Sequence, residues 1–179
     1  MNRKRVFLAL VFVAALAPQS TITSAQTKAH KNVPGLGLPG SWRATFTSAD
    51  NQRQFAPIPA LFTFTEKPGA HGVTEGTLVE TDGGELVPIP PPNQAFGSPG
   101  HGVWRKIGNR KYEIKFLTIA VNPDGSLAAT GRIRLTVELN EEGDRFEGEG
   151  TFKFIFADGT VVPGGSGNEK IRARLIELE

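Results

Sequence analysis

Residues 131–156 carry the stretch GRIRLTVELNEEGDRFEGEGTFKFIF, in which apolar and polar side chains alternate on both sides of a short polar break. Every second residue from Ile133 is aliphatic in the first half, and every second residue from Phe146 is phenylalanine or glycine in the second. A repeat of two places alternate side chains on opposite faces of a strand, which is typical of strands buried on one side. Gly143, between two acids in the break, favours a tight turn. The stretch therefore predicts a β-hairpin with one face in a core.

The same repeat of two occurs along most of the chain outside this hairpin. The other alternating runs cover residues 42–47, 61–65, 76–82, 103–107, 112–121 and 171–176. Turn residues such as Pro123-Asp124-Gly125 and Asp158-Gly159 separate runs that are close enough to pair as antiparallel neighbours. Within the second strand of the opening hairpin, Gly148 and Gly150 predict a bend or a close approach of another element.

About eight strands in consecutive hairpins predict an all-β fold. A sheet of that size tends to curl and close, because closure removes the exposed edge strands. We therefore expect an antiparallel up-and-down β-barrel of about eight strands, with an open sandwich of the same strands as the alternative. A barrel of this size has an interior just wide enough for packed side chains or for one small ligand.

The first 25 residues have the pattern of a secretory signal peptide. Arg3-Lys4-Arg5 precedes an apolar run of 12 residues, residues 6–17, which is shorter than the about 20 residues that a membrane-spanning helix needs. Small residues end at Ala25, where we expect cleavage. The predicted organisation is a signal peptide at 1–25, a flexible lead-in at 26–39 and one barrel domain at 40–179. The predicted location is secreted or periplasmic.

The basic balance of the whole chain comes from this leader. The chain has 20 basic and 18 acidic residues, and residues 1–25 contain three of the basic ones and no acid, so the remainder carries a net charge of −1. Nucleic acid is therefore not an expected partner. No later run approaches membrane-spanning length, so no stable span is expected after cleavage. The absence of cysteine excludes a disulfide framework and a cysteine nucleophile.

Gly40-Ser41-Trp42 opens the first predicted strand, directly after a lead-in rich in glycine and proline. This tripeptide resembles the Gly-x-Trp motif of the lipocalins and the wider calycin group. The resemblance implies an eight-stranded barrel closed at one end by Trp42, with Arg172 or Arg174 packed across its ring, and an affinity for small apolar molecules. The fold is also similar to the barrel of allene oxide cyclases and dirigent proteins, which implies that cyclisation without a cofactor is possible.

Aromatic side chains dominate the apolar positions of the predicted strands. A cavity walled by aromatic side chains would suit a small hydrophobic or amphipathic ligand, and a fully packed core is the alternative. The residues expected to wall such a cavity are Phe62, Phe64, Trp104, Tyr112, Phe116, Phe152 and Phe154. The first hypothesis is therefore an exported barrel that binds a small apolar or amphipathic molecule in its interior.

Four polar residues are candidates for catalysis if the protein is an enzyme: Glu80, His101, Arg105 and Tyr112. A carboxyl group inside an apolar barrel would have a raised pKa and could carry protons. The second hypothesis is thus an isomerase or cyclase that needs no cofactor, and the third is a packed barrel that acts as a surface interaction module. No metal-ligand spacing, nucleophile elbow or nucleotide fingerprint is present. The sequence leaves open whether the protein is an enzyme, and its oligomeric state.

The stretch Gly83–Gly102 departs from the strand pattern because it contains five prolines. Proline cannot donate a hydrogen bond to a neighbouring strand, so a long loop is expected here. At the mouth of a barrel this loop could form a lid, with Ile89 and Phe96 in contact with the interior.

Overall fold

Ten β-strands make up the secondary structure of the described part of the chain. The computed structural model describes residues 37–49, 56–67, 74–82, 86–87 and 95–177. The strands are β1 (Gly40–Ser48), β2 (Ile58–Glu66), β3 (Glu75–Asp82), β4 (Leu86–Val87), β5 (Ala95–Gly97), β6 (Gly100–Lys106), β7 (Lys111–Val121), β8 (Leu127–Leu139), β9 (Arg145–Phe156) and β10 (Val161–Leu175). The predicted signal peptide lies outside these ranges, which contain no helix long and apolar enough to cross a membrane.

Eight of these strands close into a barrel. Hydrogen-bonded neighbours follow the order β7-β6-β3-β2-β1-β10-β9-β8, and β8 pairs again with β7. Every pair is antiparallel. Because the last strand returns to the first, the predicted up-and-down barrel is confirmed, and the open sandwich, which would leave two free edges, is wrong.

The hairpin predicted from residues 131–156 forms the β8–β9 pair. Leu139 lies opposite Phe146 next to the turn, and Gly143 in that turn has a φ of 72°. Gly125 and Gly159, in two other predicted turns, have φ values of 84° and 88°. Glycine adopts positive φ at little cost because it has no Cβ atom, so these positions fix where the chain reverses.

Two glycines inside β9 allow the strand to lie unusually close to β8. A Cβ atom at Gly148 would run into the carbonyl oxygen of Thr136, and one at Gly150 into that of Arg134. A Cβ atom at either position would also crowd a side chain of β8. At Gly148, for example, it would lie 2.8 Å from Val137 Cγ1. The predicted close approach is therefore present, and it lets the wall coil tightly around the core.

The barrel wall is longer on one side than on the other. Strands β7 to β10 have 11, 13, 12 and 15 residues, whereas β1, β2, β3 and β6 have 9, 9, 8 and 7. The extra length lies beyond the level where β3 ends and β6 begins, which we call the Glu80 end. We call the opposite end the Trp42 end.

The buried side chains form two clusters, which follow this asymmetry. The main cluster fills the barrel from the Trp42 end upward. The second cluster lies on the extended wall at the Glu80 end and consists of Ala120, Ala128, Ala129 and Val162, with Phe154 and Phe156 packed against it.

The proline-rich stretch is partly strand. The short β4–β5 hairpin forms within it, with Phe96 paired to Val121 of β7 on the extended wall, and β6 begins at Gly100. Where a long loop of extended character was expected, most of the described residues of this stretch instead form short paired strands. Ile89 and the side chain of Phe96 lie outside the described residues, so the lid stays a prediction.

Candidate functional site

The Trp42 end of the barrel is sealed by aromatic packing. The Trp42 and Trp104 side chains are fully buried, and their indole N–H groups donate to the backbone carbonyls of Leu38 and Thr65 at 2.9 and 3.1 Å. The ring of Trp42 lies 4.9 Å from that of Phe146, centroid to centroid. These contacts satisfy the polar atoms and fill the space, so this end has a structural role.

The two arginines expected to pack across Trp42 lie on the outer face of the wall. Arg172 and Arg174 are exposed and alternate along β10 with the buried Ile171 and Ala173. Arg172 instead forms an ion pair with Glu147, at 3.4 Å. Trp42 points inward and both arginines point outward, so the structure lacks the arginine contact that the lipocalin resemblance implied.

The aromatic residues expected to wall a cavity lie on the inner face. Five of them are buried in the main cluster, namely Phe62, Phe64, Trp104, Tyr112 and Phe116. Phe62 stacks on Phe64 at 5.5 Å and meets Phe116 edge-on at 5.8 Å, measured between ring centroids. The middle of the barrel is therefore a layer of rings in mutual contact.

The inner face of β9 at the Glu80 end is reached by solvent. Phe152 packs against the main cluster and Phe154 against the second one, and their centroids are 6.1 Å apart. Both rings, and Phe156 beyond them, point inward yet are only partly buried. This row of rings forms an apolar surface that leads from the extended wall into the barrel, which we call the β9 mouth (Phe152, Phe154 and Phe156).

Glu80 projects into the barrel interior from β3. Its side chain is 3% exposed, and it lies opposite Phe62 on one neighbouring strand and Gly100 on the other. A Cβ atom at Gly100 would lie 2.6 Å from the ring of Phe116 and 2.8 Å from Glu80 Oε2, so glycine leaves room for both side chains. Glu80 is therefore a carboxyl group set against aromatic rings.

Burial dominates the chemistry of Glu80. The pKa of Glu80 is raised to about 8, chiefly by desolvation and then by the negative charges of Asp82 and Glu169, against which a backbone hydrogen bond from Gly100 acts. The carboxyl group thus holds a proton at neutral pH, when it can donate as well as accept a hydrogen bond.

Glu169 is a second buried carboxyl group at the same end. It lies on the inner face of β10, opposite Gly150 of β9 and Ser48 of β1, and it is 6% exposed. Burial raises its pKa to about 7. Within the described part of the chain, its Oε1 atom has no hydrogen-bond partner. A buried carboxyl oxygen without a partner costs free energy, so it marks a place where a ligand group could bind.

Sequence reasoning missed Glu169, although a signal was available. The alternating run that includes Ile171, Ala173 and Leu175 puts residue 169 on the same face when it is extended by two residues. The polar neighbours of Glu169 hid this pattern, since a strand interior is expected to be apolar. Glu80, by contrast, was among the candidates and does point inward.

The four candidate catalytic residues do not form one site. His101 and Arg105 are exposed on the outer face of β6, where Arg105 forms an ion pair with Glu113 at 2.7 Å. Tyr112 is inside at the Trp42 end, beside Trp104, and burial raises the pKa of its hydroxyl. Glu80 is inside at the other end. A mechanism that uses all four together is therefore incompatible with the fold.

Metal ligands do not converge in the part of the chain that is described. No group of three or more histidine, aspartate or glutamate side chains there is arranged to hold a metal ion.

Comparisons with known proteins give one structural likeness. No protein-family model matches the chain, and no curated protein matches it. Among solved structures, a redesigned β-barrel aligns with a TM-score of 0.47 and 13% sequence identity, over 78% of this chain and 92% of the other. The barrel described above rests on the strand pairing of this chain itself.

Proposed function

We propose that the protein binds a small amphipathic molecule at the Glu80 end of its barrel. One observation carries this proposal: the β9 mouth, a partly exposed apolar surface on the inner wall, lies at the same end as two buried carboxyl groups. Small-molecule sites are commonly apolar surfaces with a few polar groups that orient the ligand. The predicted secretory leader supports a role in binding a molecule outside the cytoplasm.

The energetics favour a ligand with both an apolar and a polar part. Covering the rings of Phe152 and Phe154 removes apolar surface from water, at about 25 cal/mol for each Å². A donor that reaches Glu169 Oε1 also relieves an unsatisfied buried acceptor, which is worth about 1–3 kcal/mol. A purely apolar molecule would gain only the first of these contributions.

An outer apolar surface supports a second candidate, the surface interaction module. Adjacent strands β2, β3, β6 and β7 carry aliphatic side chains on their outer face that are between 42% and 55% exposed. These are Leu61, Val79, Val103, Leu117 and Ile119, which we call the outer stripe. Clustered exposed apolar residues often mark interaction sites.

A fluorescence titration with the apolar dye N-phenylnaphthylamine separates the two candidates. We expect saturable binding at one site, weakened about tenfold or more by Phe152→Ala, because this change removes part of the β9 mouth. The matched control Leu117→Ala shortens an apolar side chain of the outer stripe and should leave the affinity unchanged.

Two results would reject interior binding. One is that neither the dye nor any compound of a wider panel shows saturable binding. The panel contains fatty acids, terpenoids, and aromatic amines and alcohols, and is tested by displacement of the dye and by thermal shift. The other is the reverse pattern, in which Leu117→Ala weakens dye binding and Phe152→Ala does not, which would favour the outer stripe.

A further inference from the structure

We propose that Glu80 and Glu169 together form a subsite for the ammonium group of an organic amine whose apolar part lies on the β9 mouth. This inference rests on the proposed function, because it names the chemical class of the ligand for the same site. It goes beyond that function because it requires the ligand to carry a positive charge, which an amphipathic ligand in general need not carry.

The charges at this end of the interior have one sign. Glu80 and Glu169 are the charged side chains that are buried in the described residues, and Asp82, at the rim on the same face of β3, adds a third carboxyl group. The positions paired with Glu80 are Phe62 and Gly100, which carry no charge. A cation would therefore meet carboxyl groups that become negative when they release their protons, and no arginine or lysine at the described positions paired with Glu80.

Among the described residues, the inward-facing positions around Glu169 likewise carry no basic group. Its paired positions are Ser48 on β1 and Gly150 on β9, and the next inward side chain on β10 is Ile171. Glu169 Oε1 has no hydrogen-bond partner among the described residues. Two carboxyl groups without a basic partner, in a low-dielectric interior, attract a cation more strongly than they would in water.

An ammonium group fits the hydrogen-bonding capacity of this pair. It presents up to three N–H donors and no acceptor, so it has enough donors for Glu169 Oε1 and for Glu80, whose charge is influenced by that of Glu169. A hydroxyl group has one donor and can satisfy only one of the two. Because a charged donor also forms the stronger hydrogen bond to a carboxylate, the pair should prefer an amine to the matching alcohol.

Proton release distinguishes the two kinds of ligand. Near neutral pH, burial keeps Glu80 largely protonated and Glu169 partly protonated, and a bound cation favours the ionised form of each. Amine binding should therefore release protons, and its affinity should rise as the pH increases through about 7 to 8. A neutral alcohol should release few protons or none.

The test is isothermal titration calorimetry of residues 26–179, which omit the predicted leader, at about pH 7 in two buffers that differ in ionisation enthalpy. The probes are phenethylammonium, phenethyl alcohol and hydrocinnamate, which share the aromatic body and differ in the polar group. We expect the amine to bind about tenfold or more tightly than the alcohol, with net proton release. Glu169→Gln and Glu80→Gln should each abolish this preference, whereas Glu149→Gln, on the outer face of β9, should preserve it.

The outcomes separate the inference from the proposed function. Suppose that the alcohol or the carboxylate binds as tightly as the amine, and that Phe152→Ala lowers the affinity of each probe to the same extent. The ammonium subsite is then wrong and interior binding stands. If the amine preference survives both glutamine variants, the subsite is also wrong. If none of the three probes binds and the displacement panel is negative as well, both proposals fail.

Discussion

Glu80 and Glu169 occupy positions that a barrel of this size usually gives to apolar side chains. Each shares its face with aliphatic and aromatic residues, such as Leu78 beside Glu80 and Ile171 beside Glu169. Burying a carboxyl group lowers stability unless it is paired or protonated. We interpret both carboxyl groups as serving the proposed ligand binding, although their burial lowers the stability of the fold.

That cost gives the first residue-scale prediction, a dependence of stability on pH. The pKa of Glu80 is about 8 in the folded chain and about 4.5 when unfolded, so between these values the folded state holds a proton that the unfolded state has lost. Stability from this group is fully present below pH 4.5 and is lost as the pH rises through about 8. Glu169 acts in the same direction, up to about 7.

Glu80→Gln should remove the part of this dependence that comes from Glu80 and leave the part that comes from Glu169, which ends near pH 7. At about pH 9 we expect the variant to be more stable than the natural chain by on the order of a few kcal/mol, with little difference near pH 4.5. Urea unfolding at several pH values measures this, and Glu149→Gln serves as the exposed control. If the natural chain does not lose stability between pH 5 and 8, the two carboxyl groups are not buried as described.

The sequence indicated Glu80 directly, but it indicated Glu169 only through an extension of the alternating run that begins at Ile171. Glu80 follows Gly76 and Leu78 at a spacing of two, so its inward direction could be predicted from the alternating run. Glu169 stands between Asn168 and Lys170, where no apolar repeat is visible. His101 and Arg105 were wrong as partners of an interior site, because each lies an odd number of residues from the inward-pointing Trp104 and therefore faces outward.

At the scale of elements, β9 depends on its two internal glycines. A side chain at Gly150 would meet the carbonyl oxygen of Arg134, as well as Leu135 Cδ2 at 2.7 Å. Gly150→Ala should therefore push β9 away from β8 and lower the free energy of unfolding by about 1–3 kcal/mol, as overpacking does. It should also displace Glu169, its partner across the β9–β10 pair.

A comparison variant separates crowding from backbone strain in this prediction. Gly125→Ala lies in a turn with a φ of 84° and nothing within 4 Å of the added atom, so it should cost only about 1 kcal/mol. Thermal unfolding and amine affinity are the two readouts. We expect Gly150→Ala to weaken both and Gly125→Ala to weaken stability alone. Equal amine affinity in the two variants would contradict the placement of Glu169 beside Gly150.

Local sequence patterns predicted the regular elements and failed at the irregular ones. The alternation in β8 and β9 and the turn at Gly143 follow from steric rules that act within a few residues. The register shift between Val161 and Ser166 of β10, and the β4–β5 hairpin, depend on contacts between distant parts of the chain. Those contacts leave no periodic trace in the sequence.

At the scale of the whole molecule, the two ends of the barrel differ. Tryptophan and phenylalanine rings fill the Trp42 end, and their polar atoms are satisfied by backbone carbonyls. At the Glu80 end, the long strands β7 to β10 extend the barrel wall beyond the two buried carboxyl groups. The inner face of this extension is apolar and partly exposed. Closure of the sheet could be predicted from the strand count, and the runs at 112–121 and 131–156 already indicated long strands. The difference between the ends could not be predicted, because it depends on the register that places the extra length of these strands at one end.

Amide NMR spectra of residues 26–179, which omit the predicted leader, recorded during a titration with phenethylammonium, test interior binding most directly. We predict that the shift changes cluster on Gly100, Gly150 and Phe152, which lie beside the two carboxyl groups and on the β9 mouth. Changes confined to Leu61, Val79 and Leu117 of the outer stripe would contradict binding inside the barrel.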